Sequence, residues 1–296
     1  MLLSDKSIDK IKSDFNRLTE PLIKKNIGLD GCIATLNEYV QGYDAKRLNL
    51  HAGNWFLYRA RPNLTTDFFK STDDLWAPPR GASKGRVNDI GESELYCSDH
   101  VITCLAEMRD LKAGDHVTFM TMIPIKDINN VSFVCADQLI EFDNILSGLF
   151  TSYSKRDVNH PDFEKFQFID ETMTKEFQLK VNDGDEYLYN LTIAWRKLCF
   201  KYSKSICLVY PSARSGLHTA NFALDPDIAK GLLKPIEASR MKIEWTDGTR
   251  YDIRIDAKAD LNGFGVLDWK EIDDPKLECI THERVSANPF EIPHSN

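Results

Sequence analysis

The sequence predicts an α+β protein. Three patterns along its 296 residues carry that prediction: helical spacing of apolar residues in the first fifty residues, short apolar runs between turn residues in the middle, and alternating strand patterns from about Pro235 onward. These changes of pattern divide the chain into a helical amino-terminal extension (1–50), a central domain (51–226) and a β-rich carboxy-terminal extension (227–296).

The amino-terminal extension is expected to hold two helices. One apolar stripe with alternating three- and four-residue spacing covers residues 8–22, and a second covers 32–40. Pro21, Gly28 and Gly31 should kink or separate the two. Stripes of this kind are most often core packing, so we assign the extension a structural role.

The central domain is expected to begin with short apolar strands from Trp55, followed by a long irregular stretch from Asp73 to Gly91 that is rich in Gly and Pro. Loops this long inside a compact domain are usually functional or disordered. The stretch contains Arg80, Lys84 and Arg86, so it is a place where phosphate could bind.

A strand and a short helix are expected directly after this loop. Leu95–Cys97 has strand character, and Ser98 or Asp99 can cap a helix whose apolar face contains Val101 and Leu105. Glu107 falls on a different face of that helix.

The remaining elements follow from the same rules. The sequence predicts strands at Val117–Ile125, Val131–Cys135, Ile206–Tyr210 and Phe222–Leu224, a helix over 188–202, and a loop with a helical turn in the acidic span Asp157–Glu186.

The carboxy-terminal extension is expected to begin with a β-hairpin. A three-residue loop, Thr246–Gly248, would set Ile243 opposite Tyr251 and Met241 opposite Ile253, which keeps one face apolar. Gly248 would then occupy the left-handed position of the turn. A further meander over 263–285 would complete this part.

Charge and composition limit the class of partner. The chain is 42% apolar and 28% charged, with a net charge of −8 that disfavours broad attraction to nucleic acid or anionic membranes. Its apolar runs are too short to span a bilayer and its first residues lack a signal-peptide core. We therefore expect a soluble cytoplasmic protein that binds neither nucleic acid nor membrane, with any anionic ligand held by a local basic cluster.

Cysteine and histidine spacing gives no support for a metal centre. The seven cysteines form no CxxC pair, and the seven histidines form no HExxH or HxH pattern. We expect reduced thiols and no metal.

Four short segments together suggest a chemistry that none of them indicates alone. They are Tyr58-Arg59-Ala60-Arg61, Gly85-Arg86-Val87-Asn88, Leu95-Tyr96-Cys97 followed by Ala106-Glu107-Met108-Arg109, and Val209-Tyr210-Pro211-Ser212-Ala213 followed by Asn221-Phe222. In this order and spacing they resemble the RES-domain family, named for its Arg, Glu and Ser, over roughly residues 55–225. Val87 departs from the family pattern, in which an aromatic residue is usual.

The resemblance implies an ADP-ribosyltransferase-like fold, a split α+β sheet with a cleft for NAD⁺, and cleavage of the nicotinamide–ribose bond. Many family members are toxins that consume NAD⁺ by hydrolysis or phosphorolysis and are inhibited by a helix-turn-helix antitoxin. Some have been described as ADP-ribosylating proteins. NAD⁺ as substrate, phosphate as a second substrate, and an antitoxin or inhibitory protein as partner are therefore the expectations.

The resemblance also assigns the site residues. Arg59 and Arg86 correspond to the family's two arginines, with Arg61 competing for the first place, and Tyr96, Glu107 and Ser212 correspond to its tyrosine, glutamate and serine. The expected catalytic residues are Glu107, Arg59 and Ser212. The dinucleotide is expected to contact Arg59, Arg61, Arg86, Asn88, Tyr96 and Ser212.

The residue types suit this chemistry. Guanidinium groups bind phosphate oxygens through paired, charge-assisted hydrogen bonds, and Gly85 and Gly91 would let the backbone approach a ligand. Nicotinamide leaves as a neutral molecule, so the site needs a carboxylate near the oxocarbenium-like ribose more than a general acid. Glu107 suits that role, while Tyr96 could stack on the nicotinamide ring and Ser212 could hydrogen-bond the carboxamide or ribose.

Alternatives remain open at this point. Transfer of ADP-ribose to a protein shares the whole cleft, and a non-catalytic NAD-binding module would share its binding residues. Tyr58 and Tyr210 have the character of core residues, and Arg214 and His218 are weaker candidates for substrate contacts.

Overall fold

The computed structural model describes residues 3–41, 43, 45–53, 55–65, 67–78, 83–108, 110–135, 157–214, 219–262 and 265–281. Its helices are α1 (Ile8–Thr19), α2 (Pro21–Val40), α3 (Thr72–Leu75), α4 (Val101–Glu107), α5 (Phe163–Phe177), α6 (Asn190–Ser203) and α7 (Pro226–Ala229), with 3₁₀ turns at Leu3–Asp5 and Glu186–Tyr189. Its strands are β1 (Arg47–Leu50), β2 (Leu57–Asn63), β3 (Leu95–Ser98), β4 (His116–Pro124), β5 (Ile128–Phe133), β6 (Cys207–Pro211), β7 (Ala220–Leu224), β8 (Leu233–Thr246), β9 (Arg250–Leu261), β10 (Leu267–Glu271) and β11 (Leu277–Thr281).

All described strands belong to one large mixed sheet flanked by helices, which makes the fold α+β. The strand order is β1-β5-β6-β7-β3-β2-β4-β8-β9-β10, and β11 pairs with the half of β9 that β10 leaves unpaired. The β5–β6 pair is parallel and the other pairs are antiparallel. The carboxy-terminal hairpin is continuous with the central strands, because β8 pairs with β4 along most of its length.

The sheet is nearly interrupted between β2 and β3. These two strands are joined by a single register pair, Tyr58 with Ser98, whereas β2 pairs with β4 along seven residues. The residues of β3 before Ser98 and those of β2 after Tyr58 have no register partners in each other. The sheet therefore opens at this point.

The amino-terminal helices form as their sequence predicts. The Ser7 side chain caps α1 by accepting a hydrogen bond from Lys10 N, and Pro21 begins α2 at a position where its missing N–H costs nothing. Gly28 interrupts α2 with a φ of 64°. The predicted separation at Pro21 and Gly28 is confirmed.

These helices are part of the protein's core. A single apolar cluster joins them to α5, α6 and one face of β6 and β7, and it contains Phe15, Leu36, Ile169, Trp195, Leu208 and Tyr210 among others. The opposite face of β6, with Cys207 and Val209, packs in a second cluster shared with strands from both ends of the sheet. Because side chains alternate along β6, one face of the strand packs against the helices and the opposite face packs against residues from other strands of the sheet.

Two local expectations are wrong. The span 157–186 contains the fifteen-residue helix α5 instead of a loop, because Phe166, Ile169, Met173 and Phe177 make a buried stripe at three- and four-residue spacing. The cap of α4 is His100, whose Nδ1 accepts a hydrogen bond from Ile102 N, because the chain is still extended at Ser98 in β3.

The predicted hairpin register is also wrong. Ile243 lies opposite Ile253 and Met241 opposite Ile255, with a bulge between Ile243 and Trp245. The observed pairing differs from the predicted one by two residues, and a shift of two keeps every side chain on the same face. The apolar pattern could not separate these registers. Gly248 does adopt a left-handed φ of 87°.

Candidate active site

A cavity of about 1030 Å³ lies where the sheet opens between β2 and β3. Its volume is at the upper end of the range typical for small-molecule sites. The walls come from β2, the loop 83–90, β3, α4, the segment 183–189, β6 and β7. The sequence-predicted residues Arg59, Arg86, Tyr96 and Glu107 line this one cavity although 48 positions separate the first from the last.

The Glu107 carboxylate is held through one of its two oxygens. Its Oε1 accepts a hydrogen bond from Ser212 Oγ at 2.7 Å and another from Asn221 Nδ2 at 2.8 Å. Within the described part of the chain Oε2 makes no hydrogen bond. Because Ser212 is only 1% exposed, its hydroxyl positions Glu107 more readily than it reaches a ligand.

A second layer of contacts fixes the orientation of Asn221. Ser98 and Asn221 are register partners of β3 and β7, and Ser98 Oγ donates to Asn221 Oδ1 at 2.7 Å. With its oxygen occupied in this way, the amide must present its N–H to Glu107. The sequence predicts no role for Asn221. The one indication of its importance is its position in the fourth motif segment.

Asp99 joins the start of α4 to the same strand. Its Oδ2 accepts a hydrogen bond from Ala220 N at 3.0 Å, and its own N–H donates to Ala220 O at 3.2 Å. Burial raises the pKa of this carboxyl to about 7, against the lowering effect of the Ala220 N–H. Asp99 therefore fixes the helix that presents Glu107.

Arg59 bridges the opening in the sheet. Its Nε donates to Leu75 O at 2.7 Å and its Nη1 donates to Tyr96 O at 2.8 Å, so the guanidinium occupies the place where β2 and β3 stop pairing. Burial lowers the pKa of Arg59 to about 10, which still leaves it charged at neutral pH. Its Nη2 makes no hydrogen bond to any described residue and remains available to a ligand.

Arg86 is the second guanidinium of the cavity, and it is only 9% exposed. Its Nη2 donates to Leu179 O at 3.0 Å, and its guanidinium lies 5.1 Å from the centre of the Tyr189 ring. Its Nη1 is buried without a hydrogen-bond partner. Leaving a buried N–H of a charged group without a hydrogen bond costs free energy, and an anion in the cavity would accept that hydrogen bond.

Tyr96 and Asn88 hold the loop that presents Arg86. The Tyr96 hydroxyl donates to Asn88 Oδ1 at 2.6 Å and accepts from Val87 N at 3.1 Å, while Asn88 Nδ2 donates to three carbonyl groups of the loop. A side chain at Gly85 would lie within 2.7 Å of both Asn88 Oδ1 and the Tyr96 hydroxyl. Gly85 thus permits close packing inside the loop, and Tyr96 has only its ring left for a ligand.

The other basic residues that the sequence singles out differ in whether they line the cavity. Lys84 lines the cavity but is engaged with Asn190 Oδ1 at 2.6 Å and Asp89 Oδ1 at 3.2 Å. Arg61 donates to Asp74 O at 2.8 Å and is not among the lining residues. Of the two candidates for the first family arginine, Arg59 is the one at the cavity. Arg80 and His218 lie outside the described residues.

The segment 183–189 adds lining residues that the sequence did not suggest. Asp183 and Glu186 bring carboxylates to the cavity, and Tyr187 and Tyr189 bring aromatic rings. The lining therefore combines both signs of charge with several rings, which suits a ligand that has phosphate, hydroxyl and aromatic parts.

The described ranges contain no group of three or more His, Cys, Asp or Glu side chains that could hold a metal ion. They also contain no helix with the length and apolar character needed to cross a bilayer.

Comparisons with known proteins identify no family for this chain. No family model and no curated protein matches the chain. A solved structure described as the M. tuberculosis MbcT–MbcA toxin–antitoxin complex is similar at 10% sequence identity, covering 64% of this chain and 85% of that chain, with a TM-score of 0.32.

Proposed function

We propose that this protein consumes NAD⁺ by cleaving the bond between nicotinamide and ribose, with water or phosphate as the acceptor. The observation that carries the proposal is the fixing of Glu107 through Oε1 alone, which leaves Oε2 for the cavity. The RES-domain resemblance of the same residues supports it, since Arg59, Arg86, Tyr96 and Glu107 share the cavity and Ser212 holds Glu107. The ADP-ribosyltransferase-like fold, a toxin role and an inhibitory protein partner are parts of the same proposal.

The chemistry of the reaction explains why one fixed carboxylate is enough. Nicotinamide departs from a cationic ring as a neutral molecule, so no proton has to be supplied to it. Positive charge then develops on the ribose, and a carboxylate already in position stabilises it without reorganisation. Glu107 would also accept a hydrogen bond from a ribose hydroxyl or from the attacking water.

The diphosphate of NAD⁺ would be held by the two guanidinium groups. Arg86 Nη1 and Arg59 Nη2 each make no hydrogen bond to a described protein group. Hydrogen bonds from arginine to phosphate are charge-assisted and therefore stronger than those between neutral groups. Binding at this point would offset the cost of burying Arg86.

The variant Glu107→Gln tests the proposal. Glutamine can still accept from Ser212 and Asn221 through its oxygen but has no charge, so we expect the fold to be kept and nicotinamide release from NAD⁺ to fall about 100-fold or more. The matched control is Glu164→Gln on α5, whose side chain is 69% exposed, and it should release nicotinamide at the wild-type rate. Equal rates for wild type and Glu107→Gln would refute the proposal.

A further inference from the structure

Tyr210 combines core packing with a place at the cavity. It lies on β6 with 2% of its surface exposed, and its ring packs against Phe177 with ring centres 5.0 Å apart. It is also one of the residues that line the cavity. From the sequence it was interpreted as a core residue, and the packing of its ring agrees with that.

The hydroxyl of Tyr210 is different from its ring. It makes no hydrogen bond to any residue that the structure describes, although the hydroxyls of buried tyrosines usually find a partner. The buried hydroxyl of Tyr96 in the same cavity, for example, has two partners. The Tyr210 hydroxyl is therefore free to form a hydrogen bond with a ligand in the cavity that this residue lines.

Tyr210 lies close to the residues that hold Glu107 and within the electrostatic influence of Arg86. Tyr210 is the register partner of Asn221, which holds Glu107, and it precedes Ser212 by two positions. The charges of Glu107 and Arg86 both act on it. Burial raises the pKa of Tyr210 well above its ordinary value, so the phenol keeps its proton and can donate it to a hydrogen bond.

We propose that the Tyr210 hydroxyl donates a hydrogen bond to a phosphate oxygen of the bound dinucleotide, beside Arg86, an inference that rests on the proposed function. Arg86 Nη1 is buried without a hydrogen-bond partner, the Tyr210 hydroxyl makes no hydrogen bond to a described residue, and both residues line the same cavity. Phosphate is the part of NAD⁺ that accepts several hydrogen bonds and donates none at neutral pH. The ribose hydroxyls would lie at Glu107, where they need a hydrogen-bond acceptor from the protein. A protonated phenol is a poor acceptor, so the Tyr210 hydroxyl suits the phosphate better than the ribose.

The test is Tyr210→Phe, which removes the hydroxyl and keeps the ring against Phe177. Calorimetric titration with ADP-ribose and with inorganic pyrophosphate should show dissociation constants about tenfold higher than in the wild type, as expected for loss of one hydrogen bond to a charged group. Adenosine, which has no phosphate, should bind both proteins equally. Tyr251→Phe is the matched control, because the Tyr251 hydroxyl donates to Gly248 O in the β8–β9 turn and Tyr251 is not among the residues that line the cavity.

Three results would overturn the inference. They are unchanged affinity of Tyr210→Phe for ADP-ribose, an equal loss of affinity for adenosine, and a similar loss in Tyr251→Phe. Melting temperatures of the two variants show whether folding contributes. Because these titrations need no turnover, they remain decisive if the wild type fails to release nicotinamide, a result that would refute the proposed reaction alone.

Discussion

The position of the Glu107 carboxylate is decided by two residues more than a hundred positions further along the chain. Ser212 and Asn221 both donate to the same oxygen, and Ser98 in turn orients Asn221. Three neutral groups thus fix this carboxylate, and no cation of the described residues forms a salt bridge with it. The Glu107 oxygen that these groups leave free can interact with whatever enters the cavity.

Arg86 should contribute more to ligand binding than to the stability of the free protein. Its Nη1 is buried and unpaired, so removing the guanidinium relieves a cost in the free protein and removes a donor from the complex. We expect ADP-ribose to raise the melting temperature of the wild type and to have much less effect on Arg86→Met. Thermal melts with and without ADP-ribose measure this.

The control for Arg86→Met is Arg17→Met on the exposed face of α1, which should respond to ADP-ribose like the wild type. A full ligand-induced rise in melting temperature for Arg86→Met would mean that Arg86 is not a phosphate ligand.

At the scale of elements, the loop 83–92 is built in advance of any ligand. Gly85 N donates a hydrogen bond to Asn88 O, and the Asn88 side chain donates to Ser83 O within the same loop. The Tyr96 hydroxyl of β3 donates to Asn88 Oδ1 and so connects the loop to that strand. The backbone of Arg86 is further fixed by Thr192, whose Oγ1 donates a hydrogen bond to Arg86 O at 2.5 Å. The binding groups therefore need little reorganisation when a ligand arrives.

The turn between β8 and β9 should be sensitive to substitution at Gly248. Its φ of 87° is strained for any residue with a Cβ, although no atom lies within 4 Å of that position. We expect Gly248→Ala to lower the free energy of unfolding by about 1 kcal/mol. Gly231→Ala is the matched control, because Gly231 lacks a positive φ and an added Cβ there makes only an ordinary contact. Equal stability of the two variants in denaturant titrations would contradict the strain argument.

The elements that the sequence predicts well are those whose apolar period is strong, such as α1, α2 and β6. The helix α5 is not predicted because acidic residues between its apolar positions weaken the pattern. The hairpin register is not predicted because pairings that differ by two residues place the same side chains on each face. In the site, residue types and their order group Arg59, Arg86 and Glu107, which line one cavity, while their role in binding or catalysis stays a prediction. A ligand contact of Tyr210 is not predicted, because a tyrosine on a buried strand gives no sign in the sequence of where its hydroxyl lies.

At the scale of the whole molecule, the amino-terminal helices belong to the same body as the cavity. Lys24 of α2 forms a buried ion pair with Glu176 of α5, and the charge of Arg86 acts on that same carboxylate. Asn190 donates to Lys24 O and accepts from Lys84 of the cavity wall. The helical extension therefore supports the wall of the site. The boundaries at 50 and 226 stay a prediction, and the sheet and core run across both.

Loss of Lys24 should destabilise the whole fold. Lys24→Met would leave Glu176 buried without its partner, and breaking a buried pair from one side typically costs about 3–5 kcal/mol. The control is Lys12→Met, whose partner Glu164 is exposed and whose loss should cost about 0–1 kcal/mol. Chemical denaturation compares the two variants, and equal losses would show that the helices are not an integral part of the core.

The most direct test of the account is to follow NAD⁺ by proton nuclear magnetic resonance during incubation with the wild-type protein, with and without phosphate. We expect one free nicotinamide to appear for each NAD⁺ consumed, together with ADP-ribose in the absence of phosphate or its 1″-phosphate in its presence. An NAD⁺ spectrum that stays unchanged over hours, with protein that is folded and binds ADP-ribose, would contradict the claim that this cavity cleaves NAD⁺.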